Sequence, residues 1–198
     1  MGVYTVVITG ASGSVYGLRL IDQLLVAGHV VTVIVTEAGR GVMAFETGLE
    51  LPGRDGEDVL AAFLENDAGS RLRIASEHDL FDGVASGSHR VDGMVVAPAS
   101  MGFIGEVAAG TAQRLPTRAA DVMLKERRPL VVVPRETPLS LIHLRNLTTI
   151  AEAGAVVLPA MPAFYTKPAT LDDAVNFVVG RVLDVLGLEH DLYARWGE

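Results

Sequence analysis

An apolar run over residues 130–133 ends in Pro134, Arg135 and Glu136, with Pro138 closing the bracket two residues later. A guanidinium beside a carboxylate at the end of a buried strand can hold a phosphate while the carboxylate relays protons. Upstream, Arg118 and Lys125 stand seven residues apart in a helical pattern that continues through Glu126, Arg127 and Arg128 to Pro129. That spacing puts both cations close to one helix face. The competing reading is a solvated basic helix end, with residues 125–128 complementing the helix dipole.

A second set is built from small residues. Thr9, Gly10, Ala11, Ser12, Gly13 and Ser14 follow the first apolar run and precede a helical pattern. Glycines there admit a ligand close to the backbone, and the free N–H groups of the next helix favour a phosphate. The spacing is not G-x-G-x-x-G, because Ser12 stands where the second glycine belongs. Thr36 and Glu37 end the second apolar run, where a ribose-binding acid belongs, so Glu37 keeps NAD as an option. Pro98, Ala99, Ser100, Met101 and Gly102 form another phosphate-compatible helix start. Ala85, Ser86, Gly87 and Ser88 make a third polar loop, for which a plain turn is an equal reading. Tyr165 follows a late strand and can offer a hydroxyl or simply pack. Arg181, flanked by Val178, Val179, Val182 and Leu183, points inward to an anion or snorkels. His143 sits among Leu141, Ile142 and Leu144 with no second ligand at metal spacing, so it reads as structural.

These candidates need elements to carry them. Apolar, β-branched runs at 4–9, 29–35, 94–97, 130–133 and 156–158 read as strands. Helical patterns follow Gly13, then occur around 104–109, 118–127, 141–153 and 171–186. Strands apolar throughout and alternating with helices predict an α/β fold: one doubly wound, Rossmann-like parallel sheet with helices on both faces. Between Leu49 and Asp82 the pattern weakens. Pro52, Gly53, Asp55, Gly56, Glu57 and Asp58 read as a solvated loop, and residues 59–64 as a short surface helix. No repeat or long linker divides the chain, so residues 1–198 are expected to form a single domain.

Composition narrows the classes. The chain has 198 residues, 49% hydrophobic and 20% charged, and a net charge of −8, which argues against a nucleic-acid partner. Cysteine is absent, which excludes disulfides, thiolate nucleophiles and Cys-ligated metals, and the five histidines suggest no metal site. No apolar run reaches the roughly 18 residues of a membrane span. Residues 1–4 lack a secretory leader's basic region, so the expected location is the cytoplasm. Mean hydropathy of +0.36 fits apolar surface buried between subunits.

Taken together, the blocks TGASGSVYGLRL, AFET, ASGS, VVAPAS, TRAADVMLKERRPLVVVPRETPLSLIHL, GAVVLPAMPAFYTKP and LDDAVNFVVGRVLDVLGL resemble the flavin prenyltransferase (UbiX-type) family. They cover nearly the whole chain except the stretch around 49–82, and the block from Thr117 to Leu144 is the specific one. The resemblance implies that Gly10, Ala11, Ser12, Thr36, Ser100, Met101, Gly102, Phe103 and Arg135 hold FMN. It implies Ser12, Glu46, Lys125 and Glu136 as catalytic, and Ser86, Gly87, Arg118, Lys125, Tyr165 and Arg181 as ligands of dimethylallyl monophosphate. It further implies a homododecamer with sites at subunit boundaries, no metal, and a partner decarboxylase that takes prenylated FMN. Phe103 departs from the pattern, standing where many members have Thr, so a hydroxyl for the flavin phosphate is missing.

The implied reaction joins the dimethylallyl group to N5 and then C6 of reduced FMN as phosphate leaves. Lys125, Arg118 and Arg181 would stabilise the departing charge, and Glu136 would relay protons during ring closure. Two alternatives remain. FMN-dependent cysteine decarboxylases share the fold but carry a Pro-Ala-Ser-Ala-Asn-Thr-like motif, and residues 98–102 lack the Asn. A non-catalytic flavin-binding regulatory subunit would have no use for Glu136, Lys125, Arg118 and Tyr165.

Overall fold

A computed structural model describes residues 1–52, 56–66 and 68–197. Strand β1 (Val3–Ile8) leads through the glycine-rich turn into α1 (Ser14–Val26), and β2 (Val30–Val35) into α2 (Glu37–Thr47). Then come α3 (Gly56–Phe63), β3 (Leu72–Ala75), β4 (Gly93–Ala99), α4 (Met101–Ala108) and α5 (Leu115–Lys125). The described chain closes with β5 (Leu130–Pro134), α6 (Leu141–Glu152), β6 (Val156–Val157) and α7 (Leu171–Leu186). The strands form one parallel sheet in the order β3-β2-β1-β4-β5-β6. Strand order therefore reverses between β1 and β4, and in open α/β sheets ligands gather outside the strand carboxyl ends at such a point.

Each sheet face buries its own core. On one, Leu18, Ile21 and Leu25 of α1 and Val178, Val182 and Leu183 of α7 pack on Val6, Ile8, Val31 and Val33. On the other, Ile104 of α4, Met123 of α5 and Ile150 of α6 pack on Val7, Ile34, Val96 and Val132. Each fully buried side chain of this size contributes about 1.5–3 kcal/mol. The doubly wound expectation is met, and the strand and helix patterns outside residues 49–82 fall within a few residues of their positions.

Three elements differ from the sequence reading. Helix α2 was not anticipated: with Gly39, Gly41 and few apolar residues, its pattern is faint. A Cβ at Gly39 would stand 2.6 Å from the Ile8 carbonyl oxygen, so this glycine lets α2 start against the end of β1. Gly56, Glu57 and Asp58 are not loop but the first turn of α3, where acidic residues suit the helix dipole. The short helix expected over residues 59–64 thus begins three residues earlier, and it is not only a surface element, since Leu60 is fully buried. Strand β3 has four residues and carries exposed Arg73, so no apolar run marks it. Gly53 and Asp55 lie outside the described residues. Among the described residues, no helix is long and apolar enough to cross a membrane, and no group of His, Cys, Asp and Glu is placed to hold a metal ion.

Close approach of α1 to the sheet depends on Gly17. A Cβ there would overlap the Ala97 carbonyl oxygen and lie 2.7 Å from Ile8 Cγ1. Gly17→Ala is therefore expected to destabilise the protein by about 1–3 kcal/mol, the usual range for overpacking. This runs against the gain of about 1 kcal/mol that Ala brings to a helix interior. Denaturant midpoints measure it, and a Gly17→Ala protein as stable as the parent would contradict the packing.

Candidate active site

The carboxyl ends of β1 and β4 are tied by one side chain. Thr9, 1% exposed, donates its hydroxyl to the Pro98 carbonyl at 2.8 Å, and the same oxygen accepts from Ser100 N–H at 2.7 Å. The Thr9 N–H also donates to the Pro98 carbonyl at 3.2 Å. These bonds set the turn after β1 beside the turn after β4, from which α1 leaves toward one sheet face and α4 toward the other. Ser100 caps α4 by accepting from Phe103 N–H at 3.3 Å, and Thr36 caps α2 by accepting from Gly39 N–H at 3.1 Å.

Glu46 reaches over this turn from the end of α2. Its carboxylate accepts from Gly13 N–H and Ser14 N–H at 3.0 Å, filling the anion position at the start of α1. Burial works against ionisation, but the Ser12 hydroxyl and the N–H groups of Ser14 and Gly13 outweigh it and hold the Glu46 carboxyl below its usual range. From the other side Arg135 donates Nε–H to the Ser12 carbonyl at 2.8 Å. Glu136, exposed, accepts from Thr137 N–H at 3.0 Å. Ser12, Glu46 and Arg135 thus belong to one assembly at the sheet's switch point, and Glu136 follows Arg135 in the chain with its carboxylate held by the Thr137 N–H. Gly10 is required by packing: a Cβ there would stand 2.6 Å from that of Ala38.

Beside this assembly a cavity of about 230 Å³ opens between the starts of α2, α4 and α5. Gly10, Thr36, Ser100, Gly102 and Phe103 line it, together with Thr9, Glu106 and Arg114. Gly102 leaves its floor open, since a Cβ there would meet only the Ser100 hydroxyl at 4.0 Å. The first N–H groups of α4 have no carbonyl of their own helix to pair with. The lining suits the phosphate end of a nucleotide: an apolar wall at Phe103, hydroxyls at Thr36 and Ser100, and helix starts for an anion. Ala11 is buried beneath the same turn, and the Met101 side chain joins the core.

The remaining expected residues form two further groups. Arg118 donates Nε–H to the Ala85 carbonyl at 3.0 Å and Nη1–H to Asp121 at 2.6 Å. At the other end of α5, Lys125 pairs with Glu126 beside Gly87, where a Cβ would stand 2.8 Å from Lys125 Nζ. Ser86 shares a hydrogen bond with Ser88 at 2.9 Å in the same loop. Ser86, Gly87, Arg118 and Lys125 are therefore brought together along α5. Thr117 lines the cavity and Lys125 follows eight residues later, about 12 Å along the helix axis at 1.5 Å per residue. The last group lies on α7. Tyr165 stands edge-on between Phe177 and Trp196, at 5.9 and 4.8 Å between ring centres. Arg181 is exposed rather than turned inward, donating to Asp184 at 2.8 Å. His143 is structural, exchanging capping bonds with Ser140 at 3.2 and 3.3 Å.

The Flavoprotein family profile matches residues 3–183. Flavin prenyltransferase UbiX of Halalkalibacterium halodurans is 46% identical over 200 residues, spanning 100% of this chain and 94% of that protein. The chain belongs to the flavin prenyltransferase family. Among solved structures, AnUbiX (PadA1) in complex with FMN and dimethylallyl pyrophosphate superposes with a TM-score of 0.89 at 35% identity, covering 100% of this chain and 98% of that one. A dodecameric FMN-dependent UbiX-like decarboxylase from Escherichia coli O157:H7 does so with a TM-score of 0.88 at 38% identity, covering 99% and 100%.

Within this flavin prenyltransferase framework, sequence reasoning placed Thr9 at the turn without a role of its own and passed over Glu77 and Arg114. Thr9 sits in a β-branched run and looked like strand. Glu77 lies in the weakly patterned stretch, and Arg114 between unremarkable loop residues, so neither gave a signal.

The Glu46 contact carries a pH signature. Its folded pKa is below the unfolded one, so its stabilisation is full above the ordinary Glu value of about 4.3 and is lost as pH falls through the folded value. Glu46→Gln should cost about 0.3–1 kcal/mol at neutral pH, the range for an exposed charge at a helix start. Parent and variant should converge in acid. Unfolding midpoints across pH measure this, and a pH-independent difference would contradict it.

Proposed function

We propose that the chain transfers the dimethylallyl group of dimethylallyl monophosphate to N5 and C6 of reduced FMN, without a metal, and passes the prenylated FMN to a partner decarboxylase. The observation that carries this reading is the assembly of Glu46 and Arg135 on the Ser12 turn, beside a cavity between helix starts at the switch point. Relatives named flavin prenyltransferase, and the AnUbiX complex with FMN and dimethylallyl pyrophosphate, support it. Residues 98–102 lack the Asn of cysteine decarboxylases, and a carrier would not need the cations along α5.

Reduced FMN supplies the nucleophilic N5 and C6, and phosphate is the leaving group. Arg118 and Lys125 of one copy hold the charge that builds on the phosphate oxygens, and Arg181 and Tyr165, a separate group at α7, reach it from another copy. Glu46 fixes the Ser12 turn under the flavin edge, and Glu136 accepts the proton released at ring closure. Lys125 stands at the end of α5 away from the cavity, and we assign it to the flavin of a neighbouring copy. The exposed apolar residues Met161, Phe164, Leu141 and Ile142 provide faces for such neighbours. A homododecamer, as in the UbiX-like protein of Escherichia coli O157:H7, satisfies this requirement. We read the whole chain as one such domain, working in the cytoplasm.

Protein incubated with reduced FMN and dimethylallyl monophosphate should release a flavin heavier by one C5H8 unit. Unchanged FMN from protein that binds FMN and folds would contradict the reading. Glu136→Gln should keep FMN while losing roughly 10²–10⁴-fold in rate, the range for general acid–base catalysis. Reassembling Glu136→Gln with Lys125→Ala subunits should recover part of the yield, since some mixed sites draw both native groups. No recovery in verified mixed oligomers would mean that one chain supplies both.

A further inference from the structure

Arg114 is the one cation among the described residues that line the cavity between α2, α4 and α5, and no sequence motif singles it out. Its direction is set from behind. Nη1–H donates to Glu77 Oε2 at 3.3 Å and Nη2–H to Glu106 Oε1 at 2.9 Å. Glu77 is buried, at 6% exposure, and is itself fixed by accepting from Glu37 N–H at 2.5 Å. The Glu77 carbonyl also accepts from Leu115 N–H at 2.8 Å, which anchors the backbone next to Arg114. The guanidinium is thus held at the cavity, while 45% of the side chain remains exposed to it and to solvent. A guanidinium has five N–H donors, and the two bonds to Glu77 and Glu106 leave others for an anion.

The rest of the cavity points to the same ligand. Thr36 and Ser100 cap two helices that direct their positive ends into it, and Gly102 leaves the space above α4 open. Phe103, the third residue of α4, has no hydroxyl to give a phosphate, and its ring is buried in the core. Glu106 is the acid facing Arg114 at this cavity, and its partly exposed pair contributes little and yields to a dianion.

We infer that Arg114 receives the 5′-phosphate of FMN and makes this cavity select FMN over riboflavin. The inference rests on the reading that the chain takes FMN here. It deepens that reading by naming the residue that recognises the phosphate. Charge-assisted hydrogen bonds from a guanidinium to phosphate are strong and geometrically specific. Arg114 would then serve two carboxylates from behind and the ligand in front.

The structural alternative is that Arg114 only balances buried Glu77, and the test separates the two. FMN and riboflavin dissociation constants are measured by flavin fluorescence for the parent, Arg114→Gln and Arg114→Lys, alongside melting temperatures of the flavin-free proteins. Gln keeps a donor for Glu77 and so preserves the scaffold. The expected result is that Arg114→Gln weakens FMN by about 10- to 100-fold, the effect of losing a hydrogen bond to a charged group, and leaves riboflavin unchanged. Arg114→Lys should recover part of the FMN affinity. Equal weakening of both flavins, or FMN affinity untouched by Arg114→Gln, would overturn the assignment. A parent protein that binds no FMN would instead refute the underlying function.

Discussion

The Thr9 hydroxyl is the interaction on which the rest of the site depends. It stands at the strand-order reversal, donates to Pro98 and accepts from Ser100, and is shut away from water. A buried hydroxyl with both bonds made is worth little more than its solvated state, but losing either partner costs about 1–3 kcal/mol. That asymmetry holds two crossover turns in one register. Because they share a register, the turn over residues 10–13, which holds Glu46 and Arg135, borders the same crevice as residues 100–103. Gly17 serves the same end from beneath, letting α1 settle on the Ala97 carbonyl.

Charge then divides the switch point into two ends. At α1, Glu46 occupies the positive helix start, and Arg135 crosses to the Ser12 carbonyl. A ligand's phosphate meets a carboxylate there and is disfavoured. At α2 and α4 the helix starts face open space with Arg114 beside them. An elongated ligand with one charged end is therefore oriented: phosphate toward Arg114, ring toward Ser12 and Glu136. This orientation leaves the reactive edge facing outward, where a neighbouring copy's Lys125 can approach it. If a neighbour's Lys125 completes the proposed site, oligomerisation serves the chemistry itself.

Much of this was legible in the sequence, and for physical reasons. Buried parallel strands are apolar on both faces, so β1, β2, β4 and β5 announce themselves, and with them the turns that hold Ser12, Ser100 and Arg135. Edge strand β3 and helix α2 are invisible by the same logic. β3 is half exposed, and α2 replaces apolar residues with glycines that exist to let backbones touch. Site residues within continuous blocks, such as Arg118 through Glu136, could be named from their pattern. Thr9, Glu77 and Arg114 could not, because their importance lies in contacts across 91, 40 and 37 residues of chain. Arg181 shows the opposite case: its apolar neighbours left an inward and a snorkelling cation as equal options, and its helix turns it outward to Asp184.

The central claim is that one chain holds the flavin at its switch point while another brings the phosphate-binding lysine. A crystal structure of the FMN complex tests it most directly. The account predicts the flavin ring over residues 10–13 with its phosphate among Thr36, Ser100 and Arg114, and the nearest Lys125 contributed by a different subunit. A flavin ring lying nearest its own chain's Lys125, or lying away from the β1 and β4 turns, would contradict the account.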